Sequence, residues 1–552
     1  MAFGVMESAV SGLLAFQQSM ATISHNISNV NTEGYSRQRA DLSTMAPIQI
    51  GSAGYVGTGV QVDSVRRSYD QFLGAQIVTS TSIATHLETY NTMVSQIDDF
   101  IADPASSLPK AMSAFFNSVH NLANDPTSIP VRQGVLTAAQ SLVNRFNTSS
   151  GQLDQLRERS ERSIEDSIKQ INSLAANIAS ANTKILDAMR VSGGAPPNDL
   201  LDQRDLLIEN LAKEVSLTVI PDNSGAVNIL VGSGQALVTG HVAASLRLTN
   251  SPYVGSPKDV LLVPSGGQSS VNITDKLEGG NLGGYRRFVN EVLNPVQNDM
   301  GRIGIAFTHI FNTQLKAGYD LGGNAGVDMF SEPPPTIIAN SKNTATMPVS
   351  ATISDYTQLT GSDYQIYVSS LDTTVTNLRT QQVTKFPVPA NMTFNLDGID
   401  FDITGAAVGD SWLVQPTRNV ASSMQLAMDV INDASKIAAA SISLGPAVGD
   451  NSNALKLAEL QIAKTSLKQG SFDDAYNEVI GAVGVLTQSS KVDSKAQTQL
   501  LDAVRKQRDA VSGVNLDEEA ATLIQFQQAY QAAAQVISVS KSTFDALIGA
   551  VR

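Results

Sequence analysis

The chain has 552 residues, with 37 basic against 51 acidic side chains for a formal net charge of −14, and it contains no cysteine. That length is about three to four times that of a usual domain, so several domains with substantial cores are expected and a small peptide module is excluded. Acidity without any Lys/Arg cluster argues against nucleic acid and against an anionic membrane as partners. The missing cysteines remove disulfides, thiolate metal sites and cysteine nucleophiles together.

The first Lys or Arg is Arg37, and no apolar run reaches about 18 residues, so neither a secretory signal peptide nor a membrane-spanning helix is predicted. Leu13, Phe16, Met20, Ile23 and Ile27 continue a spacing of three and four that begins at Met6 and Ala9, the mark of a helix with a coiled-coil seam. Ile83, Leu87, Tyr90, Val94, Ile97 and Ile101 form a second helix that stops before Asp103-Pro104, and a shorter one through Phe115, Phe116, Val119 and Leu122 ends before Asp125-Pro126. From Val131 the helical pattern runs unbroken to Ile185, on the order of 90 Å at 1.5 Å per residue.

A helix over about 199–214 gives way to period-two strands at Leu217–Ile220 and Val227–Val231, joined by the turn Asp222-Asn223-Ser224-Gly225; a small β subdomain is expected over about 215–275. Helix returns through Val292, Val296, Met300, Ile303, Phe307 and Ile310, bent at Pro295. Past the breakers Gly322-Gly323 and Pro333-Pro334-Pro335, residues 345–418 alternate as an outer β domain that holds Trp412, the single tryptophan. The near meeting of its two ends suggests that a short linker could replace it without loss of assembly. Helix is expected from Val420 onward with a break at Gly445-Pro446, closing on a second seam through Leu523, Phe526, Tyr530, Ile537, Phe544 and Leu547. The reading is a mainly α fold with β insertions: residues 1–36 with 515–552 as a terminal coiled-coil domain, 37–344 with 419–514 as a long helical body, and 345–418 as the outer β domain.

Residues that could carry chemistry are sparse, and no catalytic, metal or cofactor site is expected. The five histidines, His25, His86, His120, His241 and His309, hold no helical metal-ligand spacing. No phosphate-binding glycine loop and no nucleophile elbow occurs. Ser107-Leu108-Pro109-Lys110 matches a Ser-x-x-Lys pattern, but Pro109 argues against serine and lysine sharing a helical turn. Asp400 and Asp402 resemble the start of a calcium loop, yet Ser411 stands where a bidentate glutamate is needed, and strand alternation explains both.

Several segments carry a family likeness. Ser11-Gly12-Leu13-Leu14-Ala15 and His25-Asn26-Ile27-Ser28-Asn29-Val30-Asn31-Thr32-Glu33-Gly34-Tyr35 resemble the N-terminal signature of bacterial flagellar rod, hook and hook-associated proteins. Tyr35-Ser36-Arg37-Gln38, Gly57-Thr58-Gly59-Val60, Pro197-Asn198-Asp199-Leu200-Leu201-Asp202-Gln203-Arg204-Asp205, Leu293-Asn294-Pro295 and Ser512-Gly513-Val514-Asn515-Leu516-Asp517-Glu518-Glu519 are similar to the hook-associated protein 1 branch. The alternative is another flagellar axial protein of the hook or rod type, and the 60-residue helical stretch argues against it.

The resemblance implies a non-enzymatic structural subunit of the hook–filament junction, exported through the flagellar type III apparatus without a cleaved signal peptide and located outside the cell. It also implies a homo-oligomeric ring of about eleven copies, a hook protein on one side and a second junction protein on the other. A flagellar export chaperone would take the C-terminal stripe Phe526, Tyr530, Ile537, Phe544 and Leu547, and both terminal seams would pack between subunits.

Overall fold

The computed structural model describes residues 2–49, 54–103, 107–222, 224–266, 269–345, 349–387, 393–442, 449–464 and 470–551. Helix α1 (Ala2–Ser28) is followed by β1 (Gln38–Thr44), β2 (Ile48–Gln49), β3 (Tyr55–Val56) and β4 (Val60–Arg67), where β1 pairs antiparallel with β4 and β2 with β3. Then come α2 (Gln71–Ile101), α3 (Leu108–Asn124), α4 (Ile129–Val191) and α5 (Asn198–Glu214). The Asp70 carboxylate accepts from the Phe72 and Leu73 amides and so starts α2. Helices α2 and α3 end just short of the expected breakers, although Pro104 itself lies outside the described residues. The 63 residues of α4 make a rod about 95 Å long. Ser107 occupies the N-cap position of α3 with Pro109 inside its first turn, a structural start signal.

Seven short strands follow. β5 (Leu217–Pro221), β6 (Val227–Val231), β7 (Gln235–Thr239) and β8 (Val242–Ala243) form a meander, and β9 (Ser245–Thr249), β10 (Asp259–Val263) and β11 (Val271–Asn272) form a second sheet. The first hairpin has the expected register, Leu217 opposite Val231 and Val219 opposite Ile229. Gly225 closes its turn at φ +92°, a conformation that favours glycine; Asn223 lies outside the described residues.

Helices α6 (Gly280–Phe288) and α7 (Asn294–Lys316) are joined through a π-helical turn, Val289–Leu293. Pro295 has no N–H to offer the carbonyl four residues back, and the slack is taken up one turn upstream, where the Asn294 amide bonds to Val289 O. The bend expected at Pro295 is thus a widened turn beside it.

The outer β region comprises β12 (Thr336–Ala339), β13 (Ser350–Ile353), β14 (Tyr364–Val368), β15 (Asp372–Asn377), β16 (Val383–Pro387), β17 (Thr393–Leu396), β18 (Ile399–Asp402) and β19 (Ser411–Gln415). They build a five-stranded antiparallel sheet in the order β12-β19-β14-β15-β16 and a three-stranded one, β13-β18-β17. Strand β12 lies upstream of residue 345 and hydrogen-bonds to β19, so this sheet begins nine residues before the expected boundary. Asp400 and Asp402 alternate with buried Ile399 and Phe401, as strand geometry demands.

One expectation fails. Instead of a helix running on from Val420, the chain makes α8 (Val420–Ser423), α9 (Met428–Asn432), a 3-10 turn at Ala434–Lys436 and α10 (Ser452–Glu459) before α11 (Phe472–Ser512) and α12 (Leu516–Val551). The buried residues Ala421, Met424, Leu426, Val430 and Ile437 do not keep a helical period, and bridges from Leu426 to Phe330 and from Ala440 to Tyr319 draw the segment over the core as extended pieces. Gly445-Pro446 lies outside the described residues.

Among the described residues three apolar cores are distinguished. The largest joins α2, α3, the first half of α4, α7, α10 and α11 around the rings of Phe115, Phe116, Phe307, Phe311, Phe330 and Phe472. Ile168, Ile171, Ile178 and Ile185 on the second half of α4 pack with α5 and the small sheets. The third lies inside the outer β region. No helix among the described residues is long and apolar enough to cross a membrane. Phe307 meets Phe115, Phe330 and Phe472 with centroids 5.3–5.7 Å apart in edge-on contacts. Phe307→Ala is expected to lower stability by about 3–5 kcal/mol, read from denaturant unfolding followed by helical ellipticity.

Candidate functional site

The two chain ends meet. Helices α1 and α12 run antiparallel against each other, with Phe16 and Phe526 centroids 6.0 Å apart near mid-length and Asn26 bonded to Glu519 at the base. Of the seam residues, Ile23 is buried; Leu13, Phe16, Met20, Ile27, Leu523, Phe526, Tyr530 and Ile537 are half-buried; Phe544 is exposed. The Leu547 side chain lies outside the described residues.

The most deeply buried stripe of α1 is a different one: Gly12, Ala15, Ser19, Thr22 and Asn26. These small residues carry no apolar signal in the sequence, and they let α1 approach the hairpin β1–β4. Ser11 Oγ accepts from the Val60 amide at 3.2 Å. Gly59, at φ +123°, lies so close to α1 that a Cβ there would fall 1.9 Å from Ser11 Oγ.

At the base a polar clamp holds three remote segments together. Asn26, 1% exposed, satisfies its whole amide: Nδ2 donates to Gln38 O at 2.8 Å and to Glu519 Oε2 at 2.9 Å, while Oδ1 accepts from the Gln38 amide at 2.9 Å and from Tyr35 OH at 2.8 Å. Arg37 reaches Glu519 at 2.7 Å and Glu518 at 3.0 Å, and its amide donates to Ser512 O at the end of α11. Asp202 on α5 takes the Ser36 N–H and O–H, both at 2.8 Å, and Arg67 Nη1 at 2.7 Å; Arg67 also pairs with Asp205 at 2.8 Å and lies 4.0 Å over the Tyr69 ring. Gln38 Nε2 donates to Asp199 at 2.7 Å and Asn198 donates to Val65 O at 2.8 Å.

Electrostatics agree with this geometry. Burial opposes charge on Arg67, yet Asp205 and Asp202 outweigh it and hold the guanidinium more basic than usual. Burial pushes the Asp202 carboxyl up against the pull of Arg67 and Ser36. All three of its contacts are donors, so the ionised form is the one this site accepts. Burial and then Asp199, Asp202 and Glu519 raise the Tyr35 phenol far above its ordinary value, which keeps it a donor to Asn26. Burial raises Tyr69 to about 12.

The clamp is an assembly of hydrogen bonds and ion pairs. Among the described residues no three His, Asp or Glu side chains converge as metal ligands. His25 stands 3.3 Å from Asp199 and edge-on to Tyr35, and His309 stacks on Tyr356. Sequence reasoning singled out the seams and missed the clamp residues Asn26, Ser36, Arg67, Asp202 and Glu519 as a unit. The available signal was the stretch 25–38, rich in Asn, Ser, Thr and Gln just where the N-terminal seam ends at Ile27 and Val30.

Asn26→Ala would strand Glu519, Gln38 and Tyr35 without their shared partner. It is expected to cost about 2–4 kcal/mol locally, seen as faster amide exchange over α1 and the first turns of α12 with α4 unchanged.

Comparisons with known proteins give a consistent picture. The profile of the flagellar hook-associated protein FlgK helical domain matches residues 94–330, and that of the flagellar hook-associated protein 1 D2-like domain matches residues 338–416. The flagella basal body rod protein profile matches residues 6–35, and the flagellar basal body rod FlgEFG protein C-terminal profile matches residues 507–550. Flagellar hook-associated protein 1 of Escherichia coli (strain K12) is 35% identical over 547 residues, 99% of each chain. The protein of the same name from Bacillus subtilis (strain 168) is 28% identical over 553 residues, 98% of this chain and 97% of that one. The solved structure of the flagellar hook junction protein FlgK from Burkholderia pseudomallei shares the fold, with a TM-score of 0.73 at 23% identity over 79% of this chain and 100% of that chain. With this identity running nearly end to end, and with Asn26 and Glu519 of the clamp falling inside the two matched terminal segments, the chain belongs to the flagellar hook-associated protein 1 family.

Proposed function

We propose that this chain is a structural subunit of the bacterial flagellum that forms the junction between hook and filament, and that it performs no catalysis. The observation that carries this reading is the clamped terminal helix pair, which leaves a second apolar face turned outward. Val5, Met6, Val10 and Leu14 on α1 and Ile524, Val536 and Val539 on α12 are each at least 40% exposed although the two helices already cover each other. A lone chain gains nothing from such faces, whereas a ring of copies buries them between neighbours.

On this reading residues 1–36 with 515–552 line the inside of a ring of about eleven copies, the helical body 37–344 with 419–514 forms the next layer, and the β domain 345–418 lies outermost. The hook protein below and a second junction protein above are the axial partners, and nucleic acid and membrane are not partners. The chain leaves the cell through the flagellar type III apparatus without a cleaved signal peptide. Before export, a flagellar chaperone covers the stripe Phe526, Tyr530, Ile537, Phe544 and Leu547, which would otherwise be an aggregation hazard.

Two measurements test this. In a strain deleted for the gene, electron microscopy is expected to show hooks without filaments; normal filaments would refute the junction role. Leu14→Asp places a charge on the outward face and leaves the α1–α12 contact in place, so the monomer should fold normally while filament attachment is lost, because each copy in the ring would bury an unpaired carboxylate at about 2–5 kcal/mol. For the chaperone, Phe526→Ala with Phe544→Ala is expected to weaken binding about tenfold or more in calorimetric titration, and unchanged affinity would refute that mapping.

A further inference from the structure

The outer β domain touches the rest of the chain through a row on α7 and through one loop of the small β subdomain. On α7, Asp299, Arg302, Ile305 and His309 follow one another at three- and four-residue spacing and so share a face. Asp299, 8% exposed, takes Arg379 from the turn after β15 at 2.8 Å and Arg302 from its own helix at 3.6 Å. Gly361, at φ +65°, presses against the same carboxylate, where a Cβ would come within 2.5 Å of Oδ1. One turn on, Ile305 enters the outer core beside Tyr364, Ile366, Phe401 and Trp412. One turn further, His309 stacks flat on Tyr356 with centroids 3.7 Å apart, and Glu332 holds both, 3.3 Å from His309 and 3.0 Å from Tyr356 OH. Gly301 permits the chain leaving the domain to cross α7, since a Cβ there would overlap Thr417 O.

On the opposite side, Tyr253, in the loop between β9 and β10, reaches into the domain. Its hydroxyl bonds to Ser411 at 3.1 Å and to Gln365 at 2.9 Å, and its backbone bridges to Asn340. Half-buried Arg418 pairs with buried Asp363 where the domain rejoins the body.

We infer that the outer β domain is a rigid strut, fixed in orientation by the α7 row and the Tyr253 peg, and not a loosely tethered insertion. Four contacts of different kinds, ionic, apolar, stacked and hydrogen-bonded, lie too far apart to be satisfied in more than one orientation. This runs against the expectation that a short linker could replace the domain without loss of assembly. Such a deletion would bare Ile305 and leave Asp299 and Arg302 without their cover. The inference concerns this chain alone and holds whether or not the junction role does.

Trp412 on β19 reports the outer sheet and helical ellipticity reports the body, so the full-length chain can be unfolded with both signals at once. A rigid mount predicts coincident transitions. Asp299→Asn and, separately, Tyr253→Ala combined with His309→Ala are expected to split them, with the tryptophan midpoint falling about 5 °C or more below the helical one. The second variant changes partly exposed residues and keeps the test open should the first fail to fold. Because the chain has no cysteine, spin labels can be placed at Gln133→Cys on α4 and Gln382→Cys beside β16. One narrow distance distribution in the native background, broadened in the Tyr253/His309 variant, is the expected result. Separate transitions in the native chain, a broad native distribution, or variants that leave both readouts unchanged would overturn the strut.

Discussion

A chain whose two ends form one helix pair must return to its own beginning, and a single buried amide fixes where it does so. Asn26 and Glu519 are 493 residues apart in sequence and 2.9 Å apart in space. Closing so long a loop carries an entropic cost that no single contact offsets. The clamp meets it by collecting donors and acceptors from α1, the hairpin, α5 and the α11–α12 joint into one network in which the Asn26 amide is fully satisfied. At its centre Asn26, Gln38, Asp202 and Glu519 are buried and cannot readily exchange their partners for water, so removing Asn26 leaves buried polar groups short of a partner.

From this base the rest of the molecule is organised along α4. One half of the rod belongs to the phenylalanine-rich core and the other half to the core beneath the small sheets, with the charged run Arg157–Lys169 largely at the surface between them. Neither core is interrupted by a flexible hinge in this helix, so the separation of the two is set by 1.5 Å per residue and not by a linker. The terminal pair and the small β subdomain both take their positions from α5, which packs on α4 and carries Asp202 into the clamp.

Much of this was legible in the sequence. The rod, the Leu217–Val231 hairpin, both terminal helices and the alternation of Ile399 and Phe401 with aspartates follow from periodicity, because in each a single element decides which face is buried. The segment after Val420 was misread as helix since its apolar residues are dense enough to suggest one; what places them is the shape of the core above which they lie. The clamp was the least legible part. Its members are Asn, Ser, Gln, Arg and acidic residues; Asn26 finds Tyr35 and Gln38 nearby, but the bonds that tie the segments together, to Asp202 and Glu519, span more than a hundred positions, and no local pattern announces which distant residues will meet. The likeness to flagellar axial proteins pointed to these stretches without saying what they do.

The π turn at Val289–Leu293 sets an angular phase. An extra residue in one helical turn advances everything on one side of it by about 100° relative to the other. Upstream, Gly283 and Gly284 on α6 face α2 so closely that a Cβ at Gly284 would come within 2.8 Å of His86 O and of Thr89 Cβ; downstream, the row Asp299 to His309 on α7 faces the outer β domain. The widened turn is what allows one nearly continuous helix to aim both faces correctly. A lineage that lost one residue here would gain a regular α-helix and turn the glycine face away from α2, so the irregular helix is the version that fits.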